Sequence, residues 1–324
     1  MIPKQWLFAA GASAVLAFGV AACGSDDGDD SGSSSSGGGE LSGTITIDGS
    51  STVQPFAEAA AELFNEENSD VEITVGAAGT SGGFEKFCAG ETDISDASRA
   101  IEPEEEKLCS EGGVKYTEFQ VANDGISVVT NPGLPITCLS TDQLKDLWSS
   151  DQLTNYTELG NDADSGDPIP DDEVSLYGPG TDSGTFDYFT DTINGEEGLS
   201  RKDYQASEDD NVLVQGVEGD ESGLAYFGFS YYEQNMDGLN LVSVDSGDGC
   251  VAPSTETIQD GSYAPLSRPL FMYPSEEALA KPEVAAFVQY VADNYDSIAE
   301  AALTVPMSSD QASKTQSAVE QATG

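Results

Sequence analysis

At three places in this chain an extended run breaks into a Gly/Ser/Thr turn and then into helical spacing. They are Asp48-Gly49-Ser50-Ser51-Thr52-Val53-Gln54-Pro55, Gly76-Ala77-Ala78-Gly79-Thr80-Ser81-Gly82-Gly83-Phe84 and Tyr177-Gly178-Pro179-Gly180-Thr181-Asp182-Ser183-Gly184-Thr185-Phe186. A strand that turns directly into a helix and back into a strand returns as a parallel neighbour through a right-handed crossover. The first unit is legible residue by residue. Thr44-Ile45-Thr46-Ile47 alternates as a strand, Phe56, Ala60, Leu63 and Phe64 recur at helical spacing over 55–65, and Val71 to Val75 is a second strand. Pro55 suits a first helical turn. A short helix over Phe84 to Ala89 and a strand near Asp93 to Asp96 complete an α/β unit.

The rest of the chain repeats this grammar without an internal repeat. Phe119 to Val129 is a long extended run able to cross between domains. Thr141 to Trp148 reads as a helix, Val174 to Tyr177 as a strand, and Phe186 to Ile193 as a helix after its turn. Leu224 to Gly228, Leu239 to Val244 and Leu270 to Tyr273 read as strands, and Pro282 to Ser297 as a helix. Residues 162–172 form a loop rich in Asp, Gly and Pro. Two α/β lobes joined by crossing strands account for this order, the first from 41–122 and 266–324, the second from 123–265.

Charge narrows the function. The 324 residues carry 59 Asp plus Glu, 11 Lys plus Arg and no histidine, for a formal net charge of -48. So few cations supply no nucleic-acid footprint. Without histidine the Ser-His-Asp and Cys-His mechanisms fall away, and with them most histidine-ligated metal sites. No acidic run has EF-hand spacing, since Ala163 and Ser165 stand where acids are required around Gly166. The Gly79-Thr80-Ser81-Gly82-Gly83 turn fits a GxSxG elbow in spacing but has no histidine to serve it, and no Gly-Lys-Ser/Thr follows to make it a P-loop. Neither a metal nor a cofactor is expected. So large a like-charge excess opposes compaction unless salt screens it, which points to a high-salt habitat.

From Trp6 to Ala22 the chain is small and apolar, then reaches Cys23 and an acidic Gly/Ser stretch, Gly24 to Glu40. The apolar run suits a secretory leader better than a membrane span. Val20-Ala21-Ala22-Cys23 resembles a bacterial lipobox, with residues 1–22 removed, Cys23 lipidated and 23–40 a tether. Cys88, Cys109, Cys138 and Cys250 remain. Outside the cytoplasm four cysteines imply two disulfides with three possible pairings. Cys88–Cys109 with Cys138–Cys250 is preferred, because each bond then stays within one lobe and neither locks the hinge.

The three turns share a chemistry. A helix start exposes up to four backbone N–H groups and about half a positive charge. Glycine lets that backbone approach a ligand, and Ser and Thr add hydroxyl donors. Any one turn alone is ordinary capping. Three at one cleft would surround a tetrahedral anion with donors worth roughly 1.5–3 kcal/mol each. Arg99, one of three arginines with Arg201 and Arg268, follows the strand end Asp93-Ile94-Ser95-Asp96 and is a candidate cation for that anion. Choosing phosphate over sulfate needs a carboxylate that accepts phosphate's remaining proton. Asp96 is the first candidate and Asp182 the second.

These segments resemble the phosphate-binding lipoproteins of the Pst-type ABC importer. The resemblance rests on Gly49-Ser50-Ser51-Thr52-Val53, Gly79 to Phe84, Asp93 to Arg99 and Asp182-Ser183-Gly184-Thr185-Phe186, in that order, with Gly223 to Gly228 and Arg268-Pro269-Leu270-Phe271 as later landmarks. It covers residues 44–306. It implies a two-lobed, type II periplasmic-binding-protein-like α/β fold with hinge-crossing strands. It also implies a phosphate ligand held by Ser51, Thr52, Thr80, Ser81, Ser183, Gly184 and Thr185. Two positions depart from the pattern: Pro179 stands where many members carry Arg, and Ser98 where many carry Asp. Arg99 and Asp96 are the replacements expected. The function implied is a monomeric, non-enzymatic lipoprotein that delivers inorganic phosphate to permease subunits. Capture of sulfate or molybdate is an alternative, and a phosphatase-like hydrolase a lesser one.

Overall fold

In the computed structural model, residues 41–150, 152–181 and 183–324 are described. The expected lipobox, Cys23, the tether and Asp182 lie outside them. The chain opens with β1 (Gly43–Gly49), α1 (Gln54–Asn65), β2 (Val71–Val75), α2 (Thr80–Cys88), β3 (Ile94–Ala97) and α3 (Pro103–Gly112). Strands β2 and β3 both lie parallel to β1, as strand–helix–strand crossovers require. Helix α1 buries Phe56, Ala57, Ala60, Ala61 and Phe64 as one stripe.

Helix α2 begins at Thr80, not at Phe84. Its Gly82 and Gly83 lie inside the first turn because the helix rides on β1: a Cβ at Gly83 would meet Gly49 Cα at 2.5 Å. Helix α3 was not anticipated from the sequence. It is set by Pro103 in the first turn, by a reciprocal capping box between Glu102 and Glu105, and by left-handed Gly113 at its end.

The middle of the chain runs β4 (Phe119–Thr130), β5 (Cys138–Ser140), α4 (Thr141–Ser149), β6 (Ser175–Pro179), α5 (Gly184–Phe189), β7 (Gln205–Ser207), α6 (Asp210–Gly219), β8 (Gly223–Gly228), α7 (Phe229–Gln234), β9 (Asn240–Asp245), β10 (Cys250–Val251) and α8 (Thr255–Gln259). Helix α5 is shorter than the spacing predicts. It widens into a π-helical turn over Thr190–Asn194, where Thr190 Oγ1 donates back to Phe186 O at 2.8 Å. The chain ends with β11 (Ser267–Pro274), α9 (Glu276–Leu279), α10 (Pro282–Ala301) and α11 (Ser309–Thr323). Helix α11 too was not read from the sequence; a Ser308–Gln311 capping box starts it.

The strands follow the order β2-β1-β3-β11-β4-β8-β6-β7, with β9, β5 and β10 off that path. Strand β4 explains the curl. Its first half, Phe119 to Gly125, pairs antiparallel with β11, and its second half, Ile126 to Thr130, pairs antiparallel with β8. Ten of its twelve residues are buried, so it reads as a near-continuous run instead of alternating. Core side chains separate accordingly. One group joins Ile45, Phe56, Phe64, Leu270, Phe287 and Val291, and another joins Val128, Leu144, Trp148, Phe189, Tyr226 and Tyr263. Each large side chain fully buried contributes roughly 1.5–3 kcal/mol. The disulfides are Cys88–Cys109, linking α2 to α3, and Cys138–Cys250, linking β5 to β10 across β9.

Asp210, at the start of α6, is a stability liability. Burial pushes its carboxyl up to about 6; a long bond from Gly228 N–H, 3.4 Å, opposes this, while Asp209, Glu208 and Asp124 add to it. A raised carboxyl favours the native state fully below the ordinary value of 3.8, and that contribution is lost as pH rises through 6. Asp210→Asn should therefore gain about 3 kcal/mol in urea unfolding at pH 8 and well under about 1 kcal/mol at pH 4. An equal gain at both values would remove ionisation as the cause.

Candidate anion-binding site

The three turns meet. The first follows β1, where Ser50 N donates to Asp96 O at 2.9 Å and Ser50 Oγ accepts from Thr52 N at 3.2 Å. The backbone approach is close enough that a Cβ at Gly49 would sit 2.0 Å from Asp96 O. The second turn is tied to the first by Gly79 N to Gly49 O, 2.9 Å. Gly79 caps α2 with φ 81°, a conformation that favours glycine, and without any side-chain cap, so the first-turn amides of α2 face outward. The third is capped by Ser183, whose Oγ accepts from Thr185 N at 3.2 Å.

Between them lies a cavity of about 330 Å³. Ser50, Ser51 and Thr52 line it from the first turn, Ala78 to Gly82 from the second, and Gly184, Asp187, Tyr188 and Asp191 from the third; Ser98, Arg99, Glu197 and Arg268 complete the wall. Of the residues singled out in sequence, Ser51, Thr52, Thr80, Ser81, Arg99 and Gly184 are thus together. Ser183 and Thr185 flank Gly184 without lining the cavity. Gly184 touches the opposite turn, because a Cβ there would stand 2.6 Å from Thr52 Oγ1, 2.7 Å from Ser51 Oγ and 2.9 Å from Thr52 N.

Asp96 stands behind the first turn, fully buried, with neither carboxylate oxygen hydrogen-bonded among the described residues. Burial, then the charge of Asp48, pushes it well above the usual carboxylate range. Its contribution to the turn is its backbone oxygen.

Arg99 is clamped. Its Nη1 and Nη2 each donate to Glu105 at 2.8 Å, and Nη2 also reaches Ser81 Oγ at 3.0 Å. The bonds to Glu105 raise the guanidinium's affinity for its proton. Burial alone would raise Glu105, but Arg99 and the N–H of Glu102 hold it below the usual range. Much of the Arg99 charge is therefore compensated, and helix ends and amides carry a large share of the positive potential. Thr80 Oγ1 lies 3.2 Å from Ser98 Oγ and accepts from Ser98 N at 3.3 Å, so the residue in the place of an acid is a second-turn partner.

Arg268 is the functional candidate that sequence reasoning did not assign. From β11 its Nη2 donates to Thr52 Oγ1 at 2.6 Å and reaches Gly184 O at 3.5 Å, while Nε donates to Asp124 Oδ2 at 3.1 Å. The guanidinium carbon lies 3.7 Å from the Tyr188 ring centroid. Burial pushes the Tyr188 hydroxyl up to about 12, against the pull of Arg268, and that hydroxyl donates to the carbonyls of Pro265 and Ser267. The available signal was scarcity: Arg268 is one of three arginines.

Comparisons with known proteins agree in kind. A family model described as a PBP superfamily domain matches residues 34–294. Protein SphX of Synechococcus elongatus is 42% identical over 267 residues, 81% of this chain and 77% of that one. Phosphate-binding protein PstS of Staphylococcus saprophyticus is 40% identical over 284 residues, 85% of this chain and 82% of that one. The crystal structure of a possible phosphate binding protein from Planctomyces limnophilus matches with TM-score 0.80 at 39% identity, covering 88% of this chain and 100% of that one. A cavity walled by turns at three strand–helix junctions thus sits in a fold and a sequence of known kind: the chain belongs to the PBP superfamily and, within it, to the family of the SphX and PstS proteins.

Proposed function

We propose that this chain is an extracytoplasmic solute-binding protein that captures inorganic phosphate and delivers it to the permease subunits of an ABC importer, without catalysing a reaction. The observation that carries this reading is the convergence of Ser51, Thr52, Thr80, Ser81 and Gly184, all at helix starts, on one cavity with two arginines. The relatives named phosphate-binding support the ligand class. Ser183 and Thr185 would contribute through the turn that presents Gly184. Asp187, Asp191 and Glu197 are the carboxylates on the cavity wall and the candidates for the acceptor of phosphate's proton, with Asp96 supporting the turn through its backbone oxygen.

Binding in this reading closes two lobes, residues 41–122 with 266–324 and residues 123–265, about β4 and the approach to β11. Cys23 would carry the lipid that holds a monomeric protein at the outer face of the cell membrane, with no nucleic-acid partner. The acidic surface belongs to a halophilic setting in which salt screens self-repulsion. No helix among the described residues is long and apolar enough to cross a membrane.

Calorimetric titration of the mature protein with phosphate, sulfate and molybdate, at molar and at low salt, tests the reading. Phosphate should bind with micromolar or better affinity, about -8 kcal/mol. Tight sulfate or molybdate binding without phosphate binding would overturn the ligand, and turnover of a phosphomonoester would overturn the absence of catalysis. Arg99→Ala should weaken phosphate binding at least tenfold, about 1.4 kcal/mol. Unchanged affinity would take Arg99 out of the site.

A further inference from the structure

We infer that Arg268 is a positioning residue that works through Thr52: by donating into Thr52 Oγ1 it leaves that hydroxyl's single proton to point at the bound anion. This rests on the phosphate reading of the same cavity. A threonine hydroxyl has one proton and two lone pairs, whereas a guanidinium can only donate. Arg268 Nη2, 2.6 Å from Thr52 Oγ1, therefore occupies a lone pair and cannot receive the proton. The hydroxyl is left as a donor, polarised by the charge behind it, on a residue that lines the cavity.

The guanidinium is built to hold that aim. Asp124 takes Nε, Tyr188 lies beneath its plane, and its side chain is 12% exposed. Its charge is offset by Asp124, so its effect on an anion is directional more than coulombic. Arg99 is likewise clamped by a carboxylate, Glu105, and donates to Ser81 Oγ at 3.0 Å, but Ser81 is itself bonded to Glu105, so its proton has an acceptor that the Thr52 proton lacks among the described contacts. Each arginine thus spends its charge on a carboxylate and passes one N–H to a site hydroxyl. Arg268 also reaches Gly184 O, so the Thr52 donor is oriented where the first and third turns touch.

A double-mutant cycle separates this relay from direct charge attraction. Phosphate affinity is measured by calorimetry at fixed molar salt for the unmodified protein, Arg268→Ala, Thr52→Val and the pair. Arg268→Ala should weaken binding about thirtyfold when Thr52 is present and less than threefold in the Thr52→Val background, a coupling of at least tenfold, or about 1.4 kcal/mol. Thr52→Ser, which keeps the hydroxyl, should keep the coupling. Arg268→Lys restores a donor and should recover most of the affinity; where Arg268→Ala does not fold, Arg268→Met, which keeps an unbranched stem without a donor, takes its place in the cycle. Equal losses from Arg268 replacement in both backgrounds would overturn the relay and leave a direct charge contact. Failure of the unmodified protein to bind phosphate would instead sink the phosphate reading, and the relay with it.

Discussion

Gly184→Val should fold with an unchanged melting profile and lose at least a hundredfold in phosphate affinity, about 2.7 kcal/mol. Three atoms of the first turn stand within 2.6–2.9 Å of where a Cβ at this position would lie. Two of them belong to backbone or to the short, branched Thr52 side chain, so little of the clash can be relieved by rotating a flexible end. Residue 184 is partly exposed and starts a six-residue helix, and in the two-lobe reading an unclosed protein would leave room for the branch. In that reading the cost falls on closure, which is why affinity should drop and stability should not. Calorimetry and thermal melting, with small-angle scattering for closure, read the two separately. Near-normal affinity would mean that the first and third turns need not touch to bind.

Loss of the Cys138–Cys250 disulfide should cost more than loss of Cys88–Cys109. The bonds close loops of 112 and 21 residues. Loop-closure entropy then gives about 4.8 kcal/mol for the longer and about 3.3 kcal/mol for the shorter. Urea unfolding of the paired Cys→Ser proteins should show that order, and the reverse order would indicate that the unfolded chain is compact in 138–250. In the two-lobe reading neither bond spans the hinge, so both proteins should keep phosphate affinity within threefold. A large affinity loss in either would place a disulfide across the moving boundary.

Much of the fold was legible locally. Strands β1, β2 and β3 and helix α1 follow from alternation, helical spacing and Pro55, all decided within a few residues. The turns were legible because Gly, Ser and Thr concentrate there. What was misread follows from long-range contact. Helix α2 takes in Gly82 and Gly83, which look like turn residues, and at Gly83 only a residue without a side chain can lie against Gly49. Helices α3 and α11 carry few core side chains, so their apolar stripe is weak, and their capping boxes were the remaining signal. The end of α5 widened because Thr190 returns its hydroxyl to the preceding turn.

From sequence alone this protein is an α/β chain with donor-rich turns at three strand–helix junctions, no histidine chemistry and a strongly acidic surface. Those properties depend on residue type and short spacing, and a string of residues records both. Only the tertiary structure decided which groups share the cavity. Thr52 and Arg268 are 216 positions apart and meet because β11 inserts antiparallel between β3 and β4. Asp96 is bonded to the first turn through its backbone oxygen and is fully buried, while Asp187, Asp191 and Glu197 stand on the cavity wall. Sheet order and register set those distances, and neither is written in any local pattern, because a contact between remote strands depends on how the whole sheet packs.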